Sequence, residues 1–222
     1  STKVKNEEEE EEEEDKEEES TSELQGPDAL VNEACVEIQS MLPALLDTTR
    51  AHPDTFKRMP DGNLNSLGTV LSQEIDSFNR LLRLMSSSLE ELQKAIKGLV
   101  VMSSELDAMY ASFIYSKVPS RWAAAYPSVK PLYPWVKDLV QRVEFLRSWL
   151  ENGPPPAFWI SGFSFPQGFI TGVLQTHSRK YSIPIDTLRF RTEVLTIENP
   201  KDILEGPPTG VYIYGCSWRA LD

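Results

Sequence analysis

The sequence predicts an α+β fold that is mainly α: a helical bundle followed by the start of a small β-barrel-like α/β subdomain. Three observations predict it. Apolar residues recur at alternating steps of three and four from Ile75 to Phe113, the spacing of one helical face. Around Trp149–Gln175 the chain reads as helix, stop, short apolar run, turn, helix. Near the C-terminal end, Leu188, Phe190, Thr192, Val194 and Thr196 alternate with Arg189, Arg191 and Glu193, the two-residue period of a strand.

In chain order, residues 1–26 form an acidic segment dominated by Glu7–Glu14, with twelve acids and three bases in the first twenty positions. Like charges with nothing to bury predict disorder there. They also hold most of the net charge of −12, since the remainder carries 22 acids against 19 bases. The body is near neutral and offers no basic footprint for nucleic acid. No apolar run approaches the roughly 18 residues needed to span a bilayer, which predicts no membrane segment. Cys35 and Cys216 lie far apart, and with no signal peptide visible they predict free thiols in a soluble, intracellular protein, with a single disulfide between them as the alternative.

Residues 27–150 read as the helical part. Pro27-Asp28 starts a helix whose Leu30, Val31, Ala34, Ile38, Met41 and Leu42 share a face, until Pro43 interrupts it. Thr48–Gly68, with Pro53, Pro60 and Asp61-Gly62, reads as a loop. The seam from Ile75 to Phe113 predicts two helices divided near Ser86–Ser88, three weak helix formers, with Gly98 a second place for a break. Ser103 is its polar lapse, and Leu81, Leu84, Val100, Val101 and Met102 widen the stripe toward bundle packing. A short helix follows Val118-Pro119 up to Tyr126, and another runs from Pro131 to Leu150 with Trp135, Leu139, Val143, Leu146 and Trp149 inward. Residues 151–222 read as strand–helix–strand: Ala157–Ile160 buried, a helix from Gln167 to Tyr181 opened by Pro166, then strands at Arg189–Ile197 and Val211–Tyr214. Three strands without a closing partner leave an open edge, the look of a piece of something larger.

The search for chemistry yields a packing unit. No G-x-x-x-x-G-K-[ST] loop occurs, and Gly162, Gly168 and Gly172 are spaced too widely to cradle phosphate; they suit close helix–sheet contact instead. A hydrolase would recruit Ser161 or Ser164 with His177 and Asp186, but the G-x-S-x-G elbow is broken at Pro166. His52, His177, Cys35 and Cys216 are too scattered for a zinc pattern, and Glu90, Glu91, Glu105 and Asp107 read as a solvated face. No catalytic, cofactor-binding or metal residue is therefore expected. The residues expected to matter are packing residues: Trp122, Trp135, Trp149, Phe158, Trp159, Gly162, Phe163, Phe165 and Phe169.

Several strings carry a family resemblance: Val118-Pro-x-x-Trp, Tyr126-Pro-Ser-x-Lys-Pro-Leu, Trp135-x-x-Asp-Leu-x-x-Arg-x-x-Phe-Leu, Gly153-Pro-Pro-Pro-x-Phe-Trp-Ile-Ser-Gly-Phe, Phe165-Pro-Gln and Ile183-Pro-Ile-Asp. Upstream stand Gln73-Glu-x-x-x-Phe-Asn-Arg-Leu-Leu and Leu92-x-Lys-Ala-Ile-Lys-Gly-Leu-Val-Val-Met-Ser. Over Pro27–Trp218 the protein resembles the C-terminal region of dynein heavy chains, in wording like the axonemal branch. That resemblance implies a helical bundle and small β subdomain following the sixth AAA+ module of a ring. It implies no nucleotide site here, with ATP and Mg in other modules. The implied role is bracing and regulating the ring of an ATP-driven, minus-end-directed microtubule motor. The implied partners are ring modules of the same polypeptide and, through the parent complex, intermediate and light chains and microtubules; the implied location is cytoplasm, cytoskeleton and the axoneme of cilia or flagella. The acidic tract departs from the family pattern, the sequence ends before the barrel closes, and Gly215-Cys-Ser-Trp-Arg-Ala follows it loosely. The alternative is a stand-alone helical scaffold whose acidic tail docks a basic partner.

Overall fold

The computed structural model describes residues 26–59 and 62–215, so residues 1–25 of the acidic segment expected to be disordered, and Cys216, lie outside the described residues. Its elements are α1 (Pro27–Met41), α2 (Ser66–Ile96), α3 (Ser104–Ile114), α4 (Ser120–Ala125), α5 (Leu132–Asn152), β1 (Ala157–Trp159), α6 (Pro166–Tyr181) and β2 (Tyr212–Tyr214). The fold is α+β and mainly α, with β1 and β2 forming a two-stranded parallel sheet that pairs Phe158 with Ile213. Two compact units organise the described residues. One takes residues 26–42 and Arg83–Lys137, the other Pro43–Leu82 and residues 138–215.

In the first unit α1 packs on α3, and the Tyr110 hydroxyl donates to Asp28 at 2.6 Å. Its centre is aromatic. Trp122 and Trp135, both fully buried, stack with centroids 6.1 Å apart, while Phe113 meets Trp122 edge-on and Tyr126 tilts against Trp135. A buried indole N–H needs an acceptor. Trp122 Nε1 donates to Ser88 Oγ at 3.0 Å and Trp135 Nε1 to the Tyr126 carbonyl at 3.1 Å.

The bond to Ser88 explains the first departure from expectation. No break occurs at Ser86–Ser88, because α2 continues through them. Ser87 and Ser88 donate to the carbonyls of Leu84 and Met85 three residues back, and Ser88 also accepts from Trp122. Burial of Met85, Leu89 and Leu92 outweighs the weak helix propensity of the serines. The break comes instead at Gly98, where φ is +73°. Gly98 N–H bonds Ala95 O and Leu99 N–H bonds Lys94 O, the paired bonds of a Schellman stop. Two further corrections follow. Ser103 is no lapse in a seam but the N-cap of α3, accepting from Leu106 N–H at 3.2 Å. Leu99 leaves the seam, and Val100, Val101 and Met102 are exposed linker residues that widen no stripe.

In the second unit the segment from Arg189 to Ile197 forms no strand; it runs irregular and exposed from Arg189 through Glu198. Strand β1 stops at Trp159, and Ile160 opens a 3-10 turn. Helix α2 begins at Ser66, inside the stretch read as loop, because Asn65 accepts the Gly68 N–H at 2.6 Å while its amide donates to Thr55 O and Lys57 O.

The first unit holds three groups that fold into an environment favouring their protonated forms. Burial pushes the Cys35 thiol up to about 12. Burial first, then the Glu37 carboxylate, raises Tyr133 to about 12, and the hydrogen bond to Asp28 does the same for Tyr110. The unfolded polypeptide releases these protons first, near the ordinary values of about 8.5–10. Stability is thus fully present below that range and falls as pH climbs toward 12. Melting temperature should decline steadily across this window, with alkylation of Cys35 rising in step. A flat profile would contradict the burial of Cys35 and Tyr133 and the Tyr110–Asp28 bond.

Candidate functional site

The second unit is built around one acid. Glu74 lies on the inward face of α2 among Leu71, Ile75 and Phe78, only 3% exposed. A lone carboxylate there would be costly unless fully hydrogen-bonded. Its two oxygens accept the backbone N–H of Ser164 at 2.8 Å and of Phe165 at 3.0 Å. Those amides immediately precede Pro166, the first residue of α6, so the negative charge also faces the positive end of that helix. Glu74 thereby fixes where α6 begins.

The turn it holds carries the aromatic cluster. Phe163 stacks on Phe169 at 4.7 Å, and Phe158 tilts against Phe169 at 4.8 Å. The buried Trp149 presents edges to Phe158 and Phe163, and Phe145 meets Phe163 and Trp159 edge-on. Such edge and offset contacts add about 0.5–1.5 kcal/mol per pair beyond burial. On the sheet side Arg142 is tied to Asp138 at 2.9 Å, donates to the Ser161 carbonyl, and lies 5.2 Å from the Trp159 ring centre. At Gly162 any Cβ would stand 2.7 Å from Trp159 Cε3, so the indole crosses a backbone that only glycine leaves clear.

The remaining polar groups secure the ends of elements. Thr55 Oγ1 donates toward the last carbonyls of α5, those of Trp149 and Leu150, and His52 N–H bonds Leu150 O at 2.8 Å. Asn79 pairs with Leu46 through both its amide atoms, at 2.8 and 2.9 Å. A groove of about 530 Å³ beside α2 and α6 is lined by Ser66, Gln73, Thr171, Gln175 and Arg179 among others. Arg179 there is directed at Ser66 Oγ, 3.2 Å away.

Of the expected packing residues, Trp149, Phe158, Gly162, Phe163 and Phe169 come together in this unit, and Trp122 and Trp135 centre the other. Trp159 is only half-buried, held against Arg142 and Phe145. Phe165 departs most: its backbone is held by Glu74, yet its side chain is 62% exposed at the groove. Ser161, Ser164 and His177 are not joined by any hydrogen bond among the described residues; the His177 ring lies against Tyr181 at 4.5 Å. No group of three or more His, Cys, Asp or Glu side chains gathers among the described residues, and no described helix is long and apolar enough to cross a membrane. Sequence reading passed over Glu74, Asn79, Asp138, Arg142 and Phe145, although each is a named position of the family strings. The signal was available. Glu74 and Asp138 interrupt apolar faces, three residues after Leu71 and Trp135.

The profile of the C-terminal domain of the dynein heavy chain matches residues 2–219. The chain belongs to that family. It is 48% identical over 184 residues, 82% of its length, to human dynein axonemal heavy chain 6. It is 51% identical over 151 residues to human dynein axonemal heavy chain 1, and 48% identical over 151 residues to the dynein-1-beta heavy chain of the flagellar inner arm I1 complex of Chlamydomonas reinhardtii, each match spanning 68% of the present sequence. The matched part is about 3–4% of each relative's length. The span matched to the dynein C-terminal domain contains both the aromatic cluster and the buried acid.

Three substitutions test the centre of the second unit. Trp149→Ala should cost about 3–5 kcal/mol, and the half-buried Trp159→Ala clearly less. Glu74→Gln trades one acceptor for an amide donor facing a backbone N–H and should cost about 1–3 kcal/mol. Denaturant midpoints check all three; equal losses at Trp149 and Trp159 would mean that the burial order is wrong.

Proposed function

We propose that this protein is a non-catalytic part of an axonemal dynein heavy chain, bracing and regulating the AAA+ ring of an ATP-driven, minus-end-directed microtubule motor. Its place is then the cytoskeleton of cilia or flagella. Its first partners are ring modules of the same polypeptide, and the motor's intermediate and light chains and microtubules are reached through the assembled complex. ATP and Mg belong in this reading to other modules.

One observation carries the bracing role. The buried charges of the second unit are committed to positioning backbone: Glu74 to the start of α6, and Arg142, with Asp138, to Ser161. A catalytic acid or base needs a free proton-transfer partner in reach of a substrate; these groups are spent on rigidity. A rigid body is what transmits or resists ring motion. The family match and the axonemal and flagellar names of the relatives support the setting.

Two measurements test the proposal. Titrated with ATP, the protein should take up none; stoichiometric binding would overturn the non-catalytic reading. In a complete axonemal heavy chain, Trp149→Ala and the milder Arg142→Lys at the matching positions should leave nucleotide binding intact. Both should reduce microtubule stimulation of the ATPase several-fold. A motor whose stimulation is unchanged by both substitutions has no need of this brace.

A further inference from the structure

The groove beside α2 and α6 has the build of a binding site that the bracing role does not use. Phe165, Gly168, Gly172, Gln175 and Arg179 line it at steps of three and four, so it follows one face of α6 from end to end. That run is about 21 Å long at 1.5 Å per residue. The opposite wall is the first two turns of α2, antiparallel to α6, since Glu74 meets the start of α6 and Ser66 its end. A volume of about 530 Å³ over that length leaves a cross-section of about 25 Å². Such a trough suits one extended polypeptide strand, about 4.8 Å wide, and is too narrow to enclose a compact molecule.

The two ends of the trough differ in chemistry, and each is held in place. At one end Glu74 fixes the Phe165 backbone, and the ring lies back across Gly168, where any Cβ would stand 2.6 Å from Phe165 Cδ1. An apolar ring kept 62% exposed by a buried acid and a bare glycine is a preformed contact surface. At the other end the buried Ser66 accepts from Arg179 Nη1 at 3.2 Å and steadies a guanidinium whose Nε and Nη2 edge matches a carboxylate. Between them Thr69, Gln73, Thr171 and Gln175 offer hydroxyls and amides that both donate and accept, as a peptide backbone requires. Among the described residues that line the trough its charge is positive, from Arg179, so the complementary strand is acidic at that end.

We propose that this trough binds an extended, acidic peptide segment of a partner protein, its carboxylate on Arg179 and an apolar side chain on Phe165. The length of the trough sets those two ligand residues about six apart, at roughly 3.3 Å each. The proposal goes beyond the bracing reading and does not rest on it.

Panning the whole protein against a phage-displayed library of random peptides, about twelve residues long to cover twice that spacing, tests it. The enriched peptides should share an Asp or Glu about six residues from an aromatic or aliphatic residue. In anisotropy titrations a labelled consensus peptide should bind roughly tenfold or more weakly to Arg179→Gln and to Phe165→Ser. Both positions are exposed, so both variants should melt with the parent protein. Gly168→Ala keeps the ring but displaces it, and should lower the affinity several-fold. Panning that yields no shared pattern, or a pattern without the acid, overturns the proposal. So does an affinity left unchanged by any of the three substitutions.

Discussion

A carboxylate inside a helical face survives only if both its oxygens are bonded, and Glu74 meets that demand with two consecutive backbone amides. The demand is directional. Ser164 and Phe165 must present their N–H groups to the same point, which fixes the turn between β1 and α6. With that turn fixed, Phe163 lies against Phe169, Trp149 gains its two edge contacts, and Gly162 has to be glycine. Apolar residues alone would fill the space but leave the start of α6 free to slide by a residue. Burying a charge costs stability that hydrophobic contacts must supply, and the return is a single arrangement.

The first unit uses the same logic with neutral groups. Two indole N–H donors are carried into a buried interior, and each finds an acceptor: Ser88 Oγ for Trp122, the Tyr126 carbonyl for Trp135. The orientation in which Trp122 stacks on Trp135 also brings its N–H to Ser88. The serine that looked like a helix breaker is therefore the group that orients one of the unit's two largest side chains.

How far this was legible depended on whether a feature is closed within its own segment. Helix positions were readable because the 3.6-residue period records which face is buried, and the boundaries at Pro27, Pro166 and Tyr181 came from local stops. The aromatic cluster was readable because large rings have few alternatives to burial. Ser86–Ser88 was misread because intrinsic propensity is a matter of tenths of a kcal/mol per residue, and the packing of Met85, Leu89 and Leu92 exceeds it. Phe165 was misread because hydrophobicity places a residue near a core but does not say which way its side chain leaves a turn. Glu74, Asp138 and Arg142 stood in the family strings as letters without roles. A charge on an apolar face is ambiguous until its acceptor or donor is known, and Ser164 lies 90 residues from Glu74.

The largest error, the strand expected at Arg189–Ile197, shows why helices and strands are not read with equal safety. A helix bonds its carbonyls to its own amides four residues on, so a correct pattern suffices. A strand completes none of its bonds itself. Alternation between Phe190, Thr192 and Val194 and the charged residues between them therefore encodes competence to pair, and whether pairing occurs is decided by what lies alongside. Strands β1 and β2 pair in parallel register, while the segment after α6 meets no partner strand among the described residues.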